Sequence, residues 1–302
     1  LSEALPLAKP CKVVVDCGNA IAARTAPPLL RALGCEVVEL FCEVDGRFPH
    51  HHPDPSIPEN LVDLQTAVRE HGADIGLAFD GDADRLGVVT DVGEIVWPDQ
   101  VLMPLAEEVL TQQPGAAVVY DIKCSWHLTR LIERLGGQPI LWKTGHSLIK
   151  AKMRETGALL GGEMAGHFVH ADDWFGFDDA FYAAARLLRL LTRHGVSSTE
   201  FFAAYPTGLN TPELRLDMAE GEPFAFMARL TDQADFGTDA RIITLDGLRV
   251  EFPHGWGLVR ASNTTPSLTL RFEAYDPSAM SDIQDRFRRQ LLALQQNLAL
   301  PF

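Results

Sequence analysis

The first long apolar run of the chain opens a pattern that predicts a strand, a helix and a second strand. Residues Lys12–Asp16 (KVVVD) form a short apolar segment ending in a carboxylate, which is typical of a strand buried on both faces. The segment Pro27–Leu33 (PPLLRAL) begins with proline and is followed by Gly34, so it favours a helix. The next strand is Glu36–Phe41 (EVVELF). Because a helix connects them, we expect the two strands to be parallel.

The same order of elements returns later in the chain. Ala117–Asp121 (AVVYD) predicts a strand, Leu128–Leu135 (LTRLIERL) a helix that ends at two glycines, and Pro139–Trp142 the following strand. A strand ending in Asp, a helix, a Leu-Gly stop and another strand therefore occur twice in one order. This recurrence indicates an internal repeat of an α/β domain.

Each copy continues with a further strand and a polar loop. Ile75–Phe79 leads into Asp80 in the first copy, and Ala158–Leu160 leads into Gly161–Glu163 in the second. Ligands of parallel α/β sheets bind at the carboxyl ends of the strands. The two acidic loops are therefore the first candidates for a binding site.

After the second copy the pattern changes. Ala180–Arg193 is an apolar helix that we expect to pack on the second domain, and alternating segments follow at Glu213–Leu216 and Ile242–Phe252. A last helix is predicted from about Ser278 to Asn297, with apolar residues at four-residue spacing. We therefore predict an α/β fold with two repeated mixed or parallel-sheet α/β domains, residues 1–96 and 97–208, followed by an α+β domain, residues 209–302.

Composition and charge narrow the class of protein. The chain has 302 residues, 46% hydrophobic and 22% charged, so it is globular and long enough for two or three domains. Its net charge of −15 argues against nucleic acid or an anionic membrane as a partner. No apolar run reaches the roughly 20 residues that span a bilayer, and no signal peptide is recognised. We expect a cytoplasmic monomer whose five cysteines are reduced.

The loop after the third strand carries the strongest local signal. Asp80, Asp82 and Asp84 alternate directly after an apolar strand and can turn toward one point, which favours a hard divalent cation. Arg85 stands where an EF-hand needs glycine, so the loop suits Mg²⁺ better than Ca²⁺. The alternatives are a solvated acidic turn and the DxD motif of a haloacid-dehalogenase-type phosphatase. The phosphatase ranks lower because its motif belongs on the first strand of its domain.

Two further loops carry groups suited to a sugar phosphate. Gly161–His167 combines glycines with Glu163 and His167, which could grip sugar hydroxyls or act as an acid and base pair. A structural histidine in a turn is the simpler interpretation of that loop. Arg260–Pro266 offers a guanidinium, three hydroxyls and an amide, which suit a phosphate. A Ser/Asn/Thr turn that caps a helix explains the same residues equally well.

Other polar residues are ambiguous when considered singly. His146 follows the strand at Pro139–Trp142 and Lys123 follows Asp121, so both could add cationic contacts, but each alone also fits a surface residue. The adjacent histidines at positions 50 to 52 lie in a proline-rich loop and cannot easily share one ion. We interpret that segment as structural.

Taken together and in order, these loops resemble the α-D-phosphohexomutase family, most closely its bacterial phosphomannomutase/phosphoglucomutase branch. The family's metal loop, usually DGDGDR, is similar to Asp80–Arg85. Its sugar loop, usually GEMSGH, is similar to Gly162–His167, and its phosphate loop, RxSNTxP, to Arg260–Pro266. The resemblance extends over essentially the whole chain as the family's domains 2 to 4, and three motifs in one order are more specific than any one of them.

The resemblance implies a reaction and a set of roles. A phosphoserine, assisted by Mg²⁺, would exchange a phosphoryl group with glucose 1-phosphate, glucose 6-phosphate or the mannose phosphates through a bisphosphate that reorients. Asp80, Asp82 and Asp84 would hold Mg²⁺, with Arg85 near the transferred group. The other implied roles are sugar contacts for Glu163 and His167, cationic and catalytic contacts for Lys123 and His146, with Lys123 a candidate acid/base group, and phosphate contacts for Arg260, Ser262, Asn263 and Thr264.

The sequence departs from the family pattern at several points. No Ser-His-Asn occurs, so the TxSHNP nucleophile loop is not in this chain. We expect that the family's first domain is missing, that the chain was cut at a linker, and that it is catalytically incomplete alone. Ala165 replaces the usual Ser of the sugar loop. Ala83 replaces the usual Gly of the metal loop, where a positive φ would be strained. The alternative to a mutase is a non-catalytic sugar-phosphate-binding fragment.

Overall fold

The structure, a computed structural model, describes residues 5–263 and 265–302 and contains three sheets. The chain divides into a first unit, Leu1–Pro206, and a second unit, Thr207–Phe302. The first unit contains both copies of the repeat, each built on its own sheet, and the second unit has one antiparallel sheet with helices. The predicted fold class, two repeated α/β domains followed by an α+β domain, is confirmed.

The first copy is a mixed sheet in which the first strand lies between the second and the third. Its elements are β1 (Lys12–Asp16), α1 (Ala26–Ala32), β2 (Glu36–Leu40), α2 (Val62–His71), β3 (Ile75–Phe79), β4 (Leu86–Thr90) and β5 (Ile95–Val96). The strand order is β2-β1-β3-β4-β5. β1 pairs in parallel with β2 and β3, and β4 is antiparallel to both β3 and β5. The parallel βαβ unit predicted from the sequence is therefore present.

The second copy repeats this topology. Its elements are α3 (Pro98–Gln112), β6 (Ala117–Asp121), α4 (Trp126–Arg134), β7 (Gln138–Trp142), α5 (His146–Thr156), β8 (Leu160–Gly162), β9 (Phe168–His170), α6 (Ala180–His194) and α7 (Ser198–Ala203). The strand order is β7-β6-β8-β9, with β6 parallel to β7 and β8, and β9 antiparallel to β8. In both copies the strand with a parallel neighbour on each side, β1 or β6, ends in a buried aspartate, Asp16 or Asp121.

One hydrophobic core runs through both copies of the first unit. It joins strand residues such as Leu77 and Tyr120 to α3 and α6. Helix α6 contacts β4 as well as β9, so it packs on both copies rather than on the second alone. The fully buried Arg186 of α6 bonds to Glu108 of α3 at 2.7 Å and to Asp172 at 2.9 Å. Since a buried charge without a partner is costly, these carboxylates stabilise its position.

The second unit is an antiparallel sheet with two helices packed on it. Its elements are β10 (Leu209–Asn210), β11 (Leu214–Asp217), α8 (Glu222–Gln233), β12 (Arg241–Ile243), β13 (Leu248–Phe252), β14 (Gly255–Ala261), β15 (Ser267–Ala274) and α9 (Pro277–Leu294). The strand order is β10-β15-β14-β13-β12, and β11 also pairs with β15. Phe226 of α8 and Phe287 of α9 lie in a core with Phe272 of β15.

Element boundaries differ from the sequence-based expectation where local chemistry decides them. Helix α4 begins at Trp126 because the Ser125 hydroxyl accepts the His127 N–H and caps the helix. Strand β8 lies two residues later than predicted, because Gly161 and Gly162 pair with neighbouring strands. The segment 242–252 contains two strands separated by a turn at Gly247. Of the described residues, none forms a helix with the length and apolar character needed to cross a membrane.

Candidate functional site

The acidic loop after β3 folds around Asp80. This residue is 1% exposed, and its Oδ1 accepts the backbone N–H groups of Asp84 and Arg85, each at 3.0 Å. The turn places Ala83 at φ 65°, in the left-handed region. One carboxylate oxygen from each of Asp80, Asp82 and Asp84 lies within 4.8 Å of the others. Three oxygens so close together fit a small divalent cation, in agreement with the spacing in the sequence.

Arg85 is held from two sides. Its Nε donates to Asp80 Oδ2 at 2.7 Å, and its Nη1 donates to Asp54 Oδ1 at 2.9 Å. Burial lowers the pKa of Arg85, but the hydrogen bond to Asp80 and the charge of Asp54 outweigh it, so the net shift is upward. Asp54 was missed by the sequence analysis. The sequence shows it only as an acidic residue in the proline-rich loop after the three histidines.

The loop after β8 buries a carboxylate beside other charged groups. Glu163 is 3% exposed, and its Oε1 accepts the Gly145 N–H at 2.5 Å. Burial, followed by the charge of Asp121, raises the pKa of Glu163 to about 7. Lys123 is 5% exposed, with its Nζ 3.8 Å from Asp121 Oδ2. The carboxyl ends of β6 and β8 thus bring Lys123 and Glu163 into one polar cluster.

The two loops meet in the first unit. Leu86 N–H donates to Gly166 O at 3.0 Å, and Arg85 forms a β-bridge with His167. The His167 Nδ1 lies 3.5 Å from Asp84 Oδ2. The His146 ring stacks on the His167 ring, with centroids 5.0 Å apart. The structure therefore brings the loop after β3, the loop after β8 and His146 together.

Asp178, which precedes α6, links the two histidines. Its Oδ2 lies 2.6 Å from His146 Nδ1 and 3.2 Å from His167 Nδ1. Its Oδ1 accepts from Lys150 Nζ at 2.5 Å. Neither Asp178 nor Lys150 was singled out from the sequence. The signal for Asp178 was its place in the acidic and aromatic stretch DDWFGFDD, and Lys150 carried none.

The mixture of acids and histidines shifts several pKa values. Burial raises the pKa of Asp84 to about 6, with the charges of Asp80 and Asp82 adding to the effect and His167 opposing it. Burial lowers the pKa of His167, but Asp178 and Asp84 outweigh it, and the net pKa shift is upward. The site thus carries more negative charge than its own cations neutralise, which favours binding of a further cation.

The third motif lies in the second unit, between β14 and β15. Arg260 is 5% exposed, and its Nε donates to Asp246 Oδ2 at 3.3 Å. Ser262 Oγ accepts from Thr265 Oγ1 at 3.0 Å. Asn263 is exposed. Thr264 lies outside the described residues. Because the loop joins two antiparallel strands, the interpretation as a helix cap is wrong.

Two of the three histidines in the proline-rich loop, His50 and His51, have structural partners. His50 Nδ1 lies 2.7 Å from Asn19 Oδ1, and His51 Nε2 lies 3.1 Å from Asp16 Oδ2. The His50 ring also stacks on Phe41. These contacts hold the loop against the end of β1, which agrees with the structural interpretation of this segment.

Comparison with known families identifies the family to which the chain belongs. The chain belongs to the phosphoglucomutase/phosphomannomutase family: models of the family's α/β/α domain II, α/β/α domain III and C-terminal domain match residues 4–93, 97–207 and 213–290. The resemblance read from the three loops is therefore confirmed.

Individual relatives agree with the family models. The chain is 55% identical over 296 residues to a Pseudomonas putida protein named phosphomannomutase/phosphoglucomutase, covering 98% of the chain and 64% of that protein. It is 51% identical over 283 residues to a Neisseria gonorrhoeae phosphoglucomutase, covering 93% of the chain and 61% of the relative. A crystal structure of a phosphoglucomutase/phosphomannomutase family protein from Burkholderia thailandensis is 50% identical with a TM-score of 0.94, covering 100% of the chain and 64% of that protein. The chain thus spans less than two thirds of the length of these relatives.

Proposed function

We propose that the chain supplies the metal, sugar and phosphate sites of a phosphohexomutase, an enzyme that interconverts the 1- and 6-phosphates of glucose or mannose. The proposal rests on one observation. The metal loop and the sugar loop, far apart in the sequence, meet at the 3.5 Å contact between Asp84 Oδ2 and His167 Nδ1. A ligand that contacts both loops would have its phosphoryl end beside the acidic cluster and its hydroxyls beside Glu163.

The proposed cation is Mg²⁺, bound by Asp80, Asp82 and Asp84. The donor set supports it, because all three groups are carboxylates, which hard cations prefer, and their oxygens lie within 4.8 Å of one another. When bound, Mg²⁺ would neutralise negative charge on the phosphoryl oxygens. It would also compensate the like charges that raise the pKa of Asp84.

The remaining residues of the first unit then have separate tasks. Arg85 is fixed by Asp54 and Asp80, so its free guanidinium edge is positioned to bind phosphoryl oxygens. Lys123 and His146 are the proposed groups that donate hydrogen bonds to the ligand and move protons during transfer. Glu163, with a pKa near 7, is the proposed acceptor for sugar hydroxyls, and His167 contacts the ligand beside it.

The loop of the second unit is the proposed site for the phosphate that is not transferred. Arg260 offers a guanidinium of which Asp246 engages part, and Ser262, Asn263 and Thr264 add a hydroxyl, an amide and a second hydroxyl. Guanidinium groups bind phosphate oxygens in bidentate geometry, which suits this loop to a phosphate monoester. Domain boundaries at 1–96, 97–208 and 209–302, a monomeric state and a cytoplasmic location belong to the same proposal.

A phosphoryl donor is also needed. The 302 residues contain no Ser-His-Asn, so they do not carry the nucleophile loop that the family resemblance implies. We therefore expect these residues alone to bind hexose phosphates without mutase turnover. Turnover should be assayed in the complete gene product.

The test is a calorimetric titration of glucose 1-phosphate into the 302-residue chain, with and without Mg²⁺. We expect binding that weakens at least about tenfold in Arg260→Ala, because a charge-assisted contact to phosphate is lost. Arg241→Ala is the matched control, since Arg241 is also an arginine of the second unit and its side chain is 77% exposed. Its affinity should equal that of the unmodified chain.

Two results would contradict the proposal. The first is equal affinity in Arg260→Ala and the unmodified chain, which would remove the phosphate site. The second is steady release of inorganic phosphate from glucose 1-phosphate by the complete gene product without formation of glucose 6-phosphate. That result would favour the phosphatase alternative.

A further inference from the structure

We propose that Asp84, His146, His167 and Asp178 form a second metal site, which binds a transition-metal ion such as Zn²⁺. One ligand atom from each of these four residues lies within 4.8 Å of the others. They come from four places in the chain: the loop after β3, the start of α5, the loop after β8 and the segment before α6. These four residues are far apart in the sequence and become neighbours only in the folded structure.

The distances between the ligand atoms suit a small tetrahedral ion. His146 Nδ1 and Asp178 Oδ2 are 2.6 Å apart, His167 Nδ1 and Asp178 Oδ2 are 3.2 Å apart, and His167 Nδ1 and Asp84 Oδ2 are 3.5 Å apart. Ligands bound to Zn²⁺ at about 2.0–2.2 Å in tetrahedral geometry lie roughly 3.3 Å from one another. Small side-chain rotations would therefore suffice to accommodate the ion.

The donor types separate this site from the cluster of Asp80, Asp82 and Asp84. Two imidazole nitrogens and two carboxylate oxygens favour Zn²⁺ over Mg²⁺, because imidazole suits borderline transition metals and Mg²⁺ prefers oxygen. The cluster of three aspartates offers carboxylates only. One region of the folded first unit thus presents two cation sites of different selectivity that share Asp84.

His167 gives an independent indication of a ligand. Its side chain is 14% exposed, and its Nδ1 is buried without a hydrogen bond of regular geometry, although the carboxylates of Asp178 and Asp84 are near. Buried polar atoms normally have a partner. A metal ion between the imidazole and the two carboxylates would bind all three groups at once.

The neighbouring residues support such an ion. Lys150 Nζ donates to Asp178 Oδ1 at 2.5 Å and leaves Oδ2 directed at the histidines, an arrangement that orients a ligating carboxylate. The same ammonium lies 3.2 Å from His146 Nδ1, so it has to move away from that atom when the ion binds. The His146 side chain is 47% exposed, so the ion has an entry path from solvent. If the proposed function holds, bound Zn²⁺ would withdraw both histidines from the sugar phosphate and would inhibit the enzyme.

The test measures metal binding directly. Zn²⁺ is titrated against a chromophoric chelator in the presence of saturating Mg²⁺, and Co²⁺ serves as the spectroscopic probe. We expect the visible absorption bands of four-coordinate Co²⁺, together with paramagnetically shifted proton resonances from two imidazoles. His146→Ala should bind Zn²⁺ at least about tenfold more weakly than the unmodified chain. Because His146 is half exposed, its replacement leaves the core intact.

Two control variants make the result specific. His52→Ala removes an exposed histidine outside the cluster and should leave the Zn²⁺ affinity unchanged. Asp82→Asn removes an exposed member of the three-aspartate cluster that is not part of the second site, and it should lower the affinity for Mg²⁺ but not for Zn²⁺. The glucose 1-phosphate titration contains no Zn²⁺, so it decides the proposed function separately.

The proposal is overturned by either of two outcomes. In the first, His146→Ala binds Zn²⁺ as tightly as the unmodified chain. In the second, Asp82→Asn weakens Zn²⁺ binding as much as His146→Ala does, which would place the ion among the three aspartates.

Discussion

The loop after β3 and the loop after β8 occupy the same place in the two copies and begin with the same four-residue turn. Each begins with an almost fully buried acid, Asp80 or Glu163. In each, the N–H of the fourth residue donates to the carbonyl of the first, at 3.2 Å for Ala83 and 3.0 Å for Gly166. That fourth residue has a positive φ in both loops, 65° for Ala83 and 101° for Gly166. The repeat thus conserves the turn and varies the side chains displayed on it.

The difference between the loops lies in how the first acid is compensated. Asp80 accepts two backbone N–H groups and a guanidinium. Glu163 accepts the N–H of Gly145, and burial, followed by the charge of Asp121, raises its pKa to about 7. Two acids of similar burial therefore differ in their donors: three hydrogen bonds reach Asp80, whereas Glu163 accepts the Gly145 N–H and has a raised pKa.

The largest expected change in the free energy of unfolding comes from replacing Asp80, the acid that accepts three hydrogen bonds. Asp80→Ala should lower the free energy of unfolding, measured without metal, by about 3 kcal/mol, because it strips the loop of three hydrogen bonds and leaves Arg85 with one carboxylate. Urea denaturation followed by circular dichroism measures it. Asp82→Ala is the control, since Asp82 is exposed, and we expect a change within about 0.5 kcal/mol. Equal losses in both variants would show that Asp80 does not organise the turn.

The second prediction concerns the pH dependence that Glu163 imparts. Its pKa is raised from 4.5 to about 7 in the folded chain, so its favourable contribution is fully present below pH 4.5 and is lost as the pH rises through 7. Over that window the group should cost up to about 3 kcal/mol of unfolding free energy. Glu163→Gln, which cannot ionise, should remove this part of the slope and be more stable than the unmodified chain at pH 8.

Urea unfolding at pH 5, 6, 7 and 8 measures the effect. Glu133→Gln is the matched control, because Glu133 is an exposed glutamate of α4 in the same copy, and its slope should follow that of the unmodified chain. If Glu163→Gln keeps the full slope, another group titrates and the proposed contrast between the two loops fails.

The smallest expected changes in the free energy of unfolding come from the residues with positive φ in the two turns, Ala83 and Gly166. Ala83→Gly should raise the free energy of unfolding by about 1 kcal/mol, since glycine adopts the left-handed region without strain. Gly166→Ala should lower it by about 1–2 kcal/mol, because a Cβ there would lie 3.0 Å from Leu86 O in addition to the strain of its φ. Gly46→Ala, at a site with open space and no positive φ, is the neutral control. A loss of unfolding free energy in Ala83→Gly, or a gain in Gly166→Ala, would contradict the equivalence of the two turns when thermal or urea unfolding is measured.

The sequence predicted those parts of the fold that local patterns encode. Strands β1, β3 and β6 were predicted with the bounds that they have, because each is a continuous apolar segment bounded by polar or turn residues. Helices α2, α3 and α5 received no assignment. Their packing faces are set by the strands beneath them, so a periodic pattern alone did not reveal them.

The residues of the candidate site also fall into two groups, those that local spacing predicted and those that it did not. The alternate acids of Asp80–Arg85 and the donor-rich segment Arg260–Pro266 were visible as local spacing. Asp54, Lys150 and Asp178 were missed, because each reaches its partner from another element and no local pattern identifies that partner. Such contacts arise only when the strands and helices pack.

The sequence by itself determined the order of the α/β elements, the repeat and the three polar loops, since apolar periodicity and residue spacing are properties of short segments. The tertiary structure decided the stacking of His146 on His167, the bridge through Asp178, the left-handed conformation of Ala83 and the raised pKa of Glu163. These features depend on burial and on distances of a few ångströms between segments far apart in the chain. Coulomb and desolvation energies are governed by such distances and not by sequence separation.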